Sequence, residues 1–348
     1  MRVAIAILSW NGKVLLEKFL PDVIKHSPAY AEVYVIDNAS SDDSVKFIAS
    51  NFTSVKVVQN IDNYGFAKGY NEGLKKITQI DAFGEADYFV LLNSDVQVTK
   101  NWIEPIIALK ESDKRIAACQ PKLLNYNVQD EFEYAGGGGG FIDKWGYPFC
   151  RGRIFNSFEK DTDQYNDTRE IFWASGACLF IRSKNYFEAG GFDEDFFAHM
   201  EEIDLCWRIR NLGHKIMYCP NAVVFHIGAG TLAKANPKKT FYNFRNNLLL
   251  LCKNHAPEYF LLKFILRGSL DGLAGMKFLF SGDVADFFAV IKAHFSFYSM
   301  FFKTMKKRKT IQKKIKHYTT GCVYRGSIVW EYFVKGKRKF SELDEKLF

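Results

Sequence analysis

Two groups of acidic residues have types and spacing that could support chemistry, and the first is centred on Asp95. This residue follows Tyr88 to Leu92, five consecutive apolar or aromatic residues that predict a buried strand. Open α/β sheets bind their ligands just past the carboxyl ends of strands. A carboxylate there can hold a hard cation and, through it, a diphosphate. The alternative is that Asp95 only ends the strand or caps a helix predicted around Trp102 to Lys110.

The second group is Glu201, Glu202 and Asp204, at the start of a helix predicted to continue through Arg210. Neighbouring carboxylates in a partly dehydrated cleft raise one another's pKa toward the range that a general base needs. The same acids could instead stabilise the helix dipole, with Arg208 pairing Asp204 four residues along the helix. The two interpretations are compatible, because three acids exceed what capping requires.

The first part of the chain alternates between predicted strands and helices. This alternation predicts right-handed crossovers and a parallel arrangement of the first four strands in an α/β sheet. A dinucleotide-binding fingerprint of the GxGxxG type is missing after the first strand, so a dehydrogenase is disfavoured. The predicted strands are 3–8, 33–36, 55–58 and 88–92, and the predicted helices are 14–26, 41–50 and 67–77.

Polar residues follow each of these four strands. Any one of them is ordinary turn chemistry, but four such groups at one sheet edge indicate a site. A glycine-containing segment, Asn63 to Asn71, follows the third strand, and its glycines allow close approach of the backbone. The residues at the strand ends are Ser9 and Asn11, Asp37 and Asn38, Gln59 and Asn60, and Asn93 and Asp95.

These segments together resemble the inverting family 2 glycosyltransferases, in particular their bacterial rhamnosyltransferase-like branch. The resemblance spans roughly residues 1–255, in the order and spacing of that family. It implies a GT-A fold, a Rossmann-like mixed sheet flanked by helices, with a C-terminal helical extension. The matching segments are 9–11, 35–42, 63–67, 91–95, 173–177, 190–193, 201–208, 226–228 and, more weakly, 245–246.

The resemblance also implies roles for individual residues. Asp37 would contact the base of a nucleotide-sugar donor, and Asp95 would hold a divalent cation, Mg²⁺ or Mn²⁺, on the diphosphate. Asn93 stands where many relatives have Asp, which leaves one anionic ligand. His226 matches a histidine that completes the metal shell in some relatives, although a histidine after a strand is often only a satisfied polar residue.

The family's base aligns with Glu202, where relatives usually have Asp, and Glu201 and Asp204 complete the candidate catalytic cluster. The implied donor-binding residues are Ser9, Asn11, Asp37, Asn38, Asn63, Gly65, Asn71, Asn93, Ser94, Gly176, Arg208 and Arg245.

The implied activity is transfer of rhamnose or another hexose or deoxyhexose from a nucleoside-diphosphate sugar. The acceptor would be a glycan, free or linked to a polyprenyl diphosphate, in cell-surface polysaccharide synthesis. Two alternatives come from other classes. A sugar-nucleotide nucleotidyltransferase should have a basic, Gly-rich loop after the first strand, which this sequence lacks. A non-catalytic, membrane-associated sugar-nucleotide binder would not need the acid cluster.

Composition divides the chain near residue 255. Residues 251–348 carry 19 Lys/Arg against 8 Asp/Glu, although the whole chain has a net charge of only +8. We therefore expect a catalytic domain over 1–255 and a basic, aromatic-rich helical extension over 256–348. Segments 259–267 and 295–309 combine apolar bulk with cations, as helices lying on an anionic membrane surface do. The alternative is an extension packed on the catalytic domain with a solvated basic face.

Other features bound the cellular setting. No apolar run reaches the roughly 18 residues of a membrane span, and the first residues lack a signal-peptide layout. The seven scattered cysteines predict reduced thiols rather than a zinc site or disulfides. The expected location is cytoplasmic, at the inner face of the cytoplasmic membrane, and nucleic acid is not an expected partner because no binding motif accompanies the charge. The glycine run 136–140 predicts a mobile segment near the acceptor or a flexible hairpin.

Overall fold

The computed structural model describes residues 1–80, 86–228, 236–258 and 260–348. The predicted alternation of strands and helices over the first 93 residues is confirmed, with boundaries shifted by at most three residues. The strands are β1 Val3–Ser9, β2 Ala31–Asp37, β3 Lys56–Gln59, β4 Tyr88–Asn93, β5 Val96–Val98, β6 Ile116–Asn125, β7 Gly140–Asp143, β8 Pro148–Cys150, β9 Arg153–Ile154, β10 Ser157–Phe158, β11 Arg169–Glu170, β12 Cys178–Arg182, β13 Lys215–His226 and β14 Val323–Tyr324. The helices are α1 Lys13–His26, α2 Ser44–Asn51, α3 Gly65–Thr78, α4 Glu104–Ser112, α5 Ser183–Glu188, α6 Glu201–Asn211, α7 Pro237–Asn254, α8 Phe260–Phe280, α9 Val284–Gln312 and α10 Ile328–Phe333.

The main sheet is mixed. Its strand order is β11-β13-β6-β12-β4-β1-β2-β3, and β5 pairs with β13. Strands β1 to β4 run parallel, as predicted. Strand β12 is antiparallel to both β4 and β6. The sheet therefore combines a parallel half with a half that contains antiparallel pairs.

Side chains of alternate residues in the strands fill two hydrophobic layers, one on each face of the main sheet. In β1, Ile5 and Ile7 face the layer that contains Leu16 and Leu20 of α1. Ala4 and Ala6 face the opposite layer, which contains Tyr70 and Leu74 of α3. Successive side chains of a strand point to opposite faces of the sheet. Because both faces of β1 are buried, nearly every residue of this strand is apolar.

A second, smaller sheet was not predicted. Its order is β10-β9-β8-β7-β14, and most of its strands have only two or three residues, too few for an alternation of apolar and polar residues to register. The glycine run 136–140 leads into β7 and is buried, so the expectation of a mobile segment or flexible hairpin is corrected. A Cβ at Gly139 would lie 2.6 Å from Ile171 Cγ2, and one at Gly136 would lie 2.7 Å from Ser175 Cβ. Close packing explains these two glycines.

The C-terminal segment is helical up to residue 312 and then returns to the small sheet. Strand β14 pairs with β7, and the rings of Phe340 and Phe348 lie 5.1 and 5.3 Å from that of Phe141. Residues beyond 255 thus complete a sheet that earlier residues begin. Every helix within residues 1–80, 86–228, 236–258 and 260–348 is too short or too polar to span a bilayer.

Candidate active site

Three of the polar residues expected at the strand ends are brought side by side by the register of the main sheet. Ser9 at the end of β1 is the partner of Asp37 at the end of β2. Leu8 of β1 is the partner of Asn93 at the end of β4. The carboxyl ends of neighbouring parallel strands therefore form one polar edge, as the sequence predicted.

The side chain of Asn11 joins the first two loops at this edge. Its Oδ1 accepts a hydrogen bond of 2.8 Å from the backbone N–H of Ser41. The backbone N–H of Asn11 donates to Ser40 Oγ over 2.9 Å. Asn11 adopts a φ of 50°, a left-handed conformation that Asn tolerates better than most residues. The backbone N–H of Ser40 lies 3.3 Å from both Asp37 carboxylate oxygens. Asp37 is 2 % exposed, so its position is fixed by the fold.

Asn38 links this edge to the loop before α3. Its Nδ2 donates to Asn63 Oδ1 over 3.0 Å and to the Gly65 carbonyl over 3.1 Å. Gly65 has a φ of +69°, and a Cβ there would lie 2.9 Å from the ring atom Cε2 of Phe197. A side chain at position 65 is therefore excluded both by conformation and by space.

Asp95 and His226 meet at the end of β4, where the sequence placed a cation. His226 Nε2 lies 3.1 Å from Asp95 Oδ1 and 3.4 Å from Asn93 Nδ2. On the other side of the ring, His226 Nδ1 lies 3.2 Å from Glu133 Oε1, a residue that sequence reasoning missed. Ser94 is partly buried between Asn93 and Asp95. These contacts show that Asp95 is neither a strand end alone nor a cap of α4, which begins later, at Glu104.

Opposite charges control protonation in this group. Burial alone would lower the pKa of His226, but Glu133 and Asp95 outweigh it and raise the pKa to about 10. Burial would raise the pKa of Asp95, whereas the hydrogen bond and charge of His226 bring it below its usual value. In the described residues no cluster of three His, Cys, Asp or Glu side chains is arranged to hold a metal ion. The chain thus offers one carboxylate and, only after His226 has lost its proton, one imidazole as candidate ligands. The remaining ligands of a cation would have to come from bound phosphates and water.

Glu202 lies beside the same sheet edge, at the start of α6. The Asn93 N–H donates to the Ala177 carbonyl over 3.0 Å, which places the 176–177 backbone next to the end of β4. A Cβ at Gly176 would lie 3.7 Å from Glu202 Cβ and 3.3 Å from Phe66 Cζ. Glu202 is partly buried, and its Oε2 has no hydrogen-bond partner. Burial raises the pKa of Glu202 to about 7, so this carboxylate can accept a proton near neutral pH.

The other two acids of the cluster have different surroundings. Asp204 is fully buried, and its oxygens lie 2.8 Å from Arg208 Nη2, 2.8 Å from Lys253 Nζ and 2.7 Å from Asn254 Nδ2. Burial would raise the pKa of Asp204, but Arg208 and Lys253 outweigh it and lower the pKa. Glu201 is 5 % exposed, its Oε2 also has no partner, and burial followed by repulsion from Glu202 raises its pKa well above the usual value. The predicted Asp204–Arg208 pair is confirmed, and the three acids have distinct environments.

Three further candidate donor-binding side chains have polar atoms that are engaged by protein groups. Arg208 donates to Asp204 and to the carbonyls of Ala189 and Gly191. Asn71 Nδ2 donates to the Phe192 carbonyl over 2.9 Å. In addition, Asn71 Oδ1 accepts from the Tyr186 hydroxyl over 2.7 Å. These bonds fix the 189–194 loop and leave Arg208 and Asn71 few free donors for a ligand.

Arg245, the third such residue, holds the loop before α6. It donates to the carbonyls of Asp195 and Phe196 over 3.0 Å each, and Asn246 Nδ2 donates to His199 O over 2.7 Å. In this loop Phe197, His199 and Met200 all have φ between 62° and 70°. Left-handed conformations at such residues cost energy and persist only where other contacts impose them, a condition typical of functional loops.

Phe197 is a second residue of the site that sequence reasoning missed. Its ring stacks on that of Tyr242 at 5.7 Å and remains 44 % exposed. Glu133 stands in an acidic cluster with Asp130 and Glu131, and Phe197 follows the acidic run 193–195, but neither cluster indicates a contact with His226 or Tyr242. Their positions depend on contacts between distant segments, so no local signal could have identified them.

Comparisons with known proteins identify the family. The model of glycosyl transferase family 2 matches residues 4–184, about half of the chain. An N-acetylglucosaminyl-diphospho-decaprenol L-rhamnosyltransferase of Mycobacterium tuberculosis is 25% identical over 268 residues, 73% of this chain and 86% of that protein. The rhamnosyltransferase WbbL of Escherichia coli is 24% identical over 224 residues, 64% of this chain and 83% of that protein.

Solved structures show the same fold. The structure of GalNAc-T7 with UDP, GalNAc and Mn²⁺ matches with a TM-score of 0.54 and 19% identity, and covers 72% of this chain and 47% of that one. Residues 1–349 of S. aureus TarS with UDP-GlcNAc match with a TM-score of 0.52 and 14% identity, over 89% and 92% of the two chains. The chain therefore belongs to glycosyl transferase family 2, and it is a rhamnosyltransferase-like glycosyltransferase with a GT-A fold.

Proposed function

We propose that this glycosyltransferase transfers a sugar with inversion and that Glu202 is the base. The observation that carries the proposal is the Glu202 carboxylate, which lies beside the polar sheet edge with one oxygen unpartnered and a pKa raised by burial to about 7. A group that must accept a proton near neutral pH works best with a pKa close to that pH. Asp204 is held in ion pairs and serves to fix α6, while Glu201 is a buried neighbour of the base.

The donor is a nucleoside-diphosphate sugar bound along the sheet edge. Asp37 faces the nucleoside, and Ser9, Asn11 and Asn38 shape the loops that surround it. Asp95 and His226 lie 3.1 Å apart at the end of β4, where they would hold Mg²⁺ or Mn²⁺ against the diphosphate. When bound, the cation neutralises negative charge on the departing diphosphate. The choice of ions is supported by the Asp95 carboxylate and the phosphate oxygens, which suit Mg²⁺ and Mn²⁺, and by the Mn²⁺ in the structure of GalNAc-T7.

In the reaction, the acceptor hydroxyl oxygen forms a bond to the anomeric carbon of the donor sugar. Its proton passes to Glu202, and the bond from the anomeric carbon to the diphosphate oxygen breaks on the opposite face of the sugar. A single displacement of this kind inverts the configuration and needs one base. Gly176 has no side chain beside Glu202, which leaves room for the sugar against the backbone.

Rhamnose is the proposed sugar, and a lipid-linked glycan is the proposed acceptor. This choice is supported by the names of the relatives from M. tuberculosis and E. coli, both rhamnosyltransferases, the first of which acts on a decaprenyl diphosphate-linked N-acetylglucosamine. Another deoxyhexose or hexose could be transferred with the same carboxylates, because Glu202 acts on the acceptor hydroxyl and Asp95 on the diphosphate.

The C-terminal helices are proposed to rest on the anionic inner face of the cytoplasmic membrane, where such acceptors are found. Segment 259–267 is part of the sequence basis for this proposal, and its first residue, Tyr259, lies outside the described residues. Helices α8 and α9 expose large apolar side chains, with Phe280, Phe295 and Phe302 exposed by 83%, 73% and 85%. Exposed Lys306 and Lys309 are close to Phe302 in sequence. Apolar groups bordered by cations are what an anionic lipid surface binds.

A ligand-binding screen followed by a transfer assay tests the proposal. Thermal shifts should be measured with each nucleoside diphosphate and nucleoside-diphosphate sugar, with and without Mn²⁺ or Mg²⁺, because a ligand of the folded state raises apparent stability. Transfer to a synthetic prenyl-diphosphate-linked N-acetylglucosamine is then measured with the donor that stabilises most. A donor that stabilises the protein in a metal-dependent manner, and turns over, supports the proposal; stabilisation without transfer to any sugar acceptor contradicts it.

A further inference from the structure

A large cavity lies apart from the polar sheet edge, between the 186–195 loop and the C-terminal part of α9. Its volume is about 770 Å³, within the range of small-molecule sites. It is lined on one side by Gly190, Gly191 and their neighbours and on the other by residues 303–315. Arg208, on the side of α6 that contacts the 189–191 carbonyls, forms part of its floor. This cavity is called the basic cleft below, and its lining includes Asn71 and Arg208 but not Asp37, Asp95, Glu202 or His226.

The charge of the basic cleft is predominantly positive. Lys303 and Lys307 lie 2.5 to 2.6 Å from the carboxylates of Asp193 and Asp195, and Lys253 also pairs with Asp193. These two carboxylates are therefore already paired with lysines. Two more carboxylates, Glu188 and Glu194, also line the cleft, so that four carboxylates face seven Lys and Arg side chains. Three more lysines line the cleft. Lys75 pairs with Glu72, whereas across the described part of the chain neither Lys306 nor Lys314 forms an ion pair. These two cations are available to an anion.

The lining also has an apolar part, beside polar side chains such as Asn71, Asn211 and Thr310. Phe187 is 43 % exposed, and Ile311 and Ile315 are partly exposed on the opposite wall. An isolated inorganic ion would leave this apolar surface in contact with water. A ligand with both a phosphate and a hydrocarbon chain would cover it and gain the free energy of apolar burial.

The basic cleft also adjoins the exposed apolar side of α9. With about 100° between successive residues of a helix, Lys306 lies roughly 20° from Phe295 around the axis, and Lys303 roughly 80°. Phe295 and Phe302 are among the most exposed apolar residues of the helix. Lys306 lies four residues, about 6 Å along the helix axis, beyond Phe302, so a lipid phosphate just past the level of Phe302 would meet Lys306 without a change in the fold.

We propose that the basic cleft binds the phosphate group of a long-chain phosphate ester, with the first part of the chain against Phe187, Ile311 and Ile315. Two sources share this chemistry, a membrane phospholipid and a polyprenyl phosphate. The proposal deepens the proposed membrane association, but its test uses soluble ligands, so its failure can be told apart from a failure of membrane docking or of sugar transfer.

The test is calorimetric titration of the full-length protein with farnesyl monophosphate, dihexanoyl phosphatidylglycerol and inorganic phosphate. At least one of the two esters should bind, and more tightly than inorganic phosphate. The double variant Lys306→Gln/Lys314→Gln should weaken binding by about fivefold for each lysine removed. The matched control Lys100→Gln/Lys114→Gln removes two exposed cations outside the cleft and should bind as the wild type does.

Each outcome has a defined meaning. Binding of farnesyl monophosphate alone assigns the cleft to a polyprenyl carrier, and binding of the phospholipid alone assigns it to the membrane itself. Equal affinity for inorganic phosphate and the esters would overturn the role of the apolar wall. Absence of ester binding, or equal weakening in the two double variants, would overturn the site.

Discussion

Glu202 and Asp204 lie two residues apart in α6, yet their carboxylates have opposite environments. Asp204 is fully buried and lies 2.8 Å from both Arg208 Nη2 and Lys253 Nζ, whereas Glu202 Oε2 has no hydrogen-bond partner. The ion pairs lower the pKa of Asp204 and keep it ionised, whereas burial raises the pKa of Glu202 to about 7. One helix turn thus supplies both a structural carboxylate and a candidate base.

The first prediction concerns pH. Glu202 accepts a proton only when it is deprotonated, so transfer at saturating substrates should rise as the pH increases through about 7 and then reach a plateau. The measurement is the single-turnover rate between pH 5.5 and 9. A rate that is constant over that range would show that the base is a group of lower pKa.

The second prediction concerns stability, with the same residue. The ordinary pKa of Glu is 4.5, and burial raises that of folded Glu202 to about 7. Protonated Glu202 therefore favours the folded state at low pH, and this stabilisation is lost as the pH rises through 7. At pH 8.5, Glu202→Gln should be more stable than the wild type by about 1–3 kcal/mol, because the amide is never charged.

Urea unfolding at pH 5.5 and 8.5 measures this difference, and Glu17→Gln serves as an exposed control. The stabilisation by Glu202→Gln should shrink at pH 5.5, and the control should show none at either pH. A Glu202→Gln variant that is less stable than the wild type at pH 8.5 would contradict the burial of a charged carboxylate.

Asp204→Asn is predicted to destabilise the protein. The substitution leaves buried Arg208 without its carboxylate and Lys253 with Asp193 alone, and breaking a buried pair costs about 3–5 kcal/mol. Asp43→Asn is the matched control, because Asp43 pairs with Lys46 at 3.9 Å on the surface and such pairs contribute less than about 1 kcal/mol. Equal unfolding free energies for the two variants would rule out the structural role of Asp204.

Donor binding is predicted to depend on Asp37 and Asp95 in different ways. Asp37→Ala should weaken binding of the nucleoside with or without metal, since Asp37 lies at the end of β2 away from the Asp95–His226 pair. Asp95→Ala should abolish only the metal-dependent part of diphosphate affinity. Titrations with the nucleoside alone and with its diphosphate, each with and without Mn²⁺, separate the two effects. Unchanged affinities in both variants would remove these residues from the donor site.

Much of the fold and the site follows from the sequence, and the reasons are physical. Strands β1, β2 and β4 are almost entirely buried and end at the active-site edge, so their apolar runs and terminal polar residues are visible locally. The strand ends Ser9, Asp37, Asn93 and Asp95 followed directly from this pattern. The Asp204–Arg208 pair follows from helical spacing.

The remainder could not be predicted, because it depends on contacts between distant segments. Glu133 meets His226 across 93 positions in the sequence, and Lys253 meets Asp204 across 49. The small sheet contains strands of two residues, and β14 joins it from the far end of the chain. Arg208 and Asn71 could be located from the sequence, but their contacts with the backbone carbonyls of residues 189–192 could not.

Association with anionic vesicles should depend on the exposed rings of α9. Phe295→Ser/Phe302→Ser removes two side chains that are 73% and 85% exposed, and each should reduce the partition coefficient by about tenfold. Val14→Ser/Ile61→Ser is the control, because these residues are 76% and 88% exposed on the catalytic domain. Sedimentation with anionic vesicles at low and high salt measures the effect. Equal association of the two double variants would contradict docking through α9.

The most direct test of the account is the single-turnover transfer rate of Glu202→Gln at saturating donor, with donor affinity measured in parallel. The amide keeps the size of the side chain but cannot accept the acceptor's proton, so the rate should fall by about 10²–10⁴-fold while donor affinity is retained. Glu201→Gln, measured beside it, should lose much less. A near-normal rate in Glu202→Gln would contradict the assignment of Glu202 as the base.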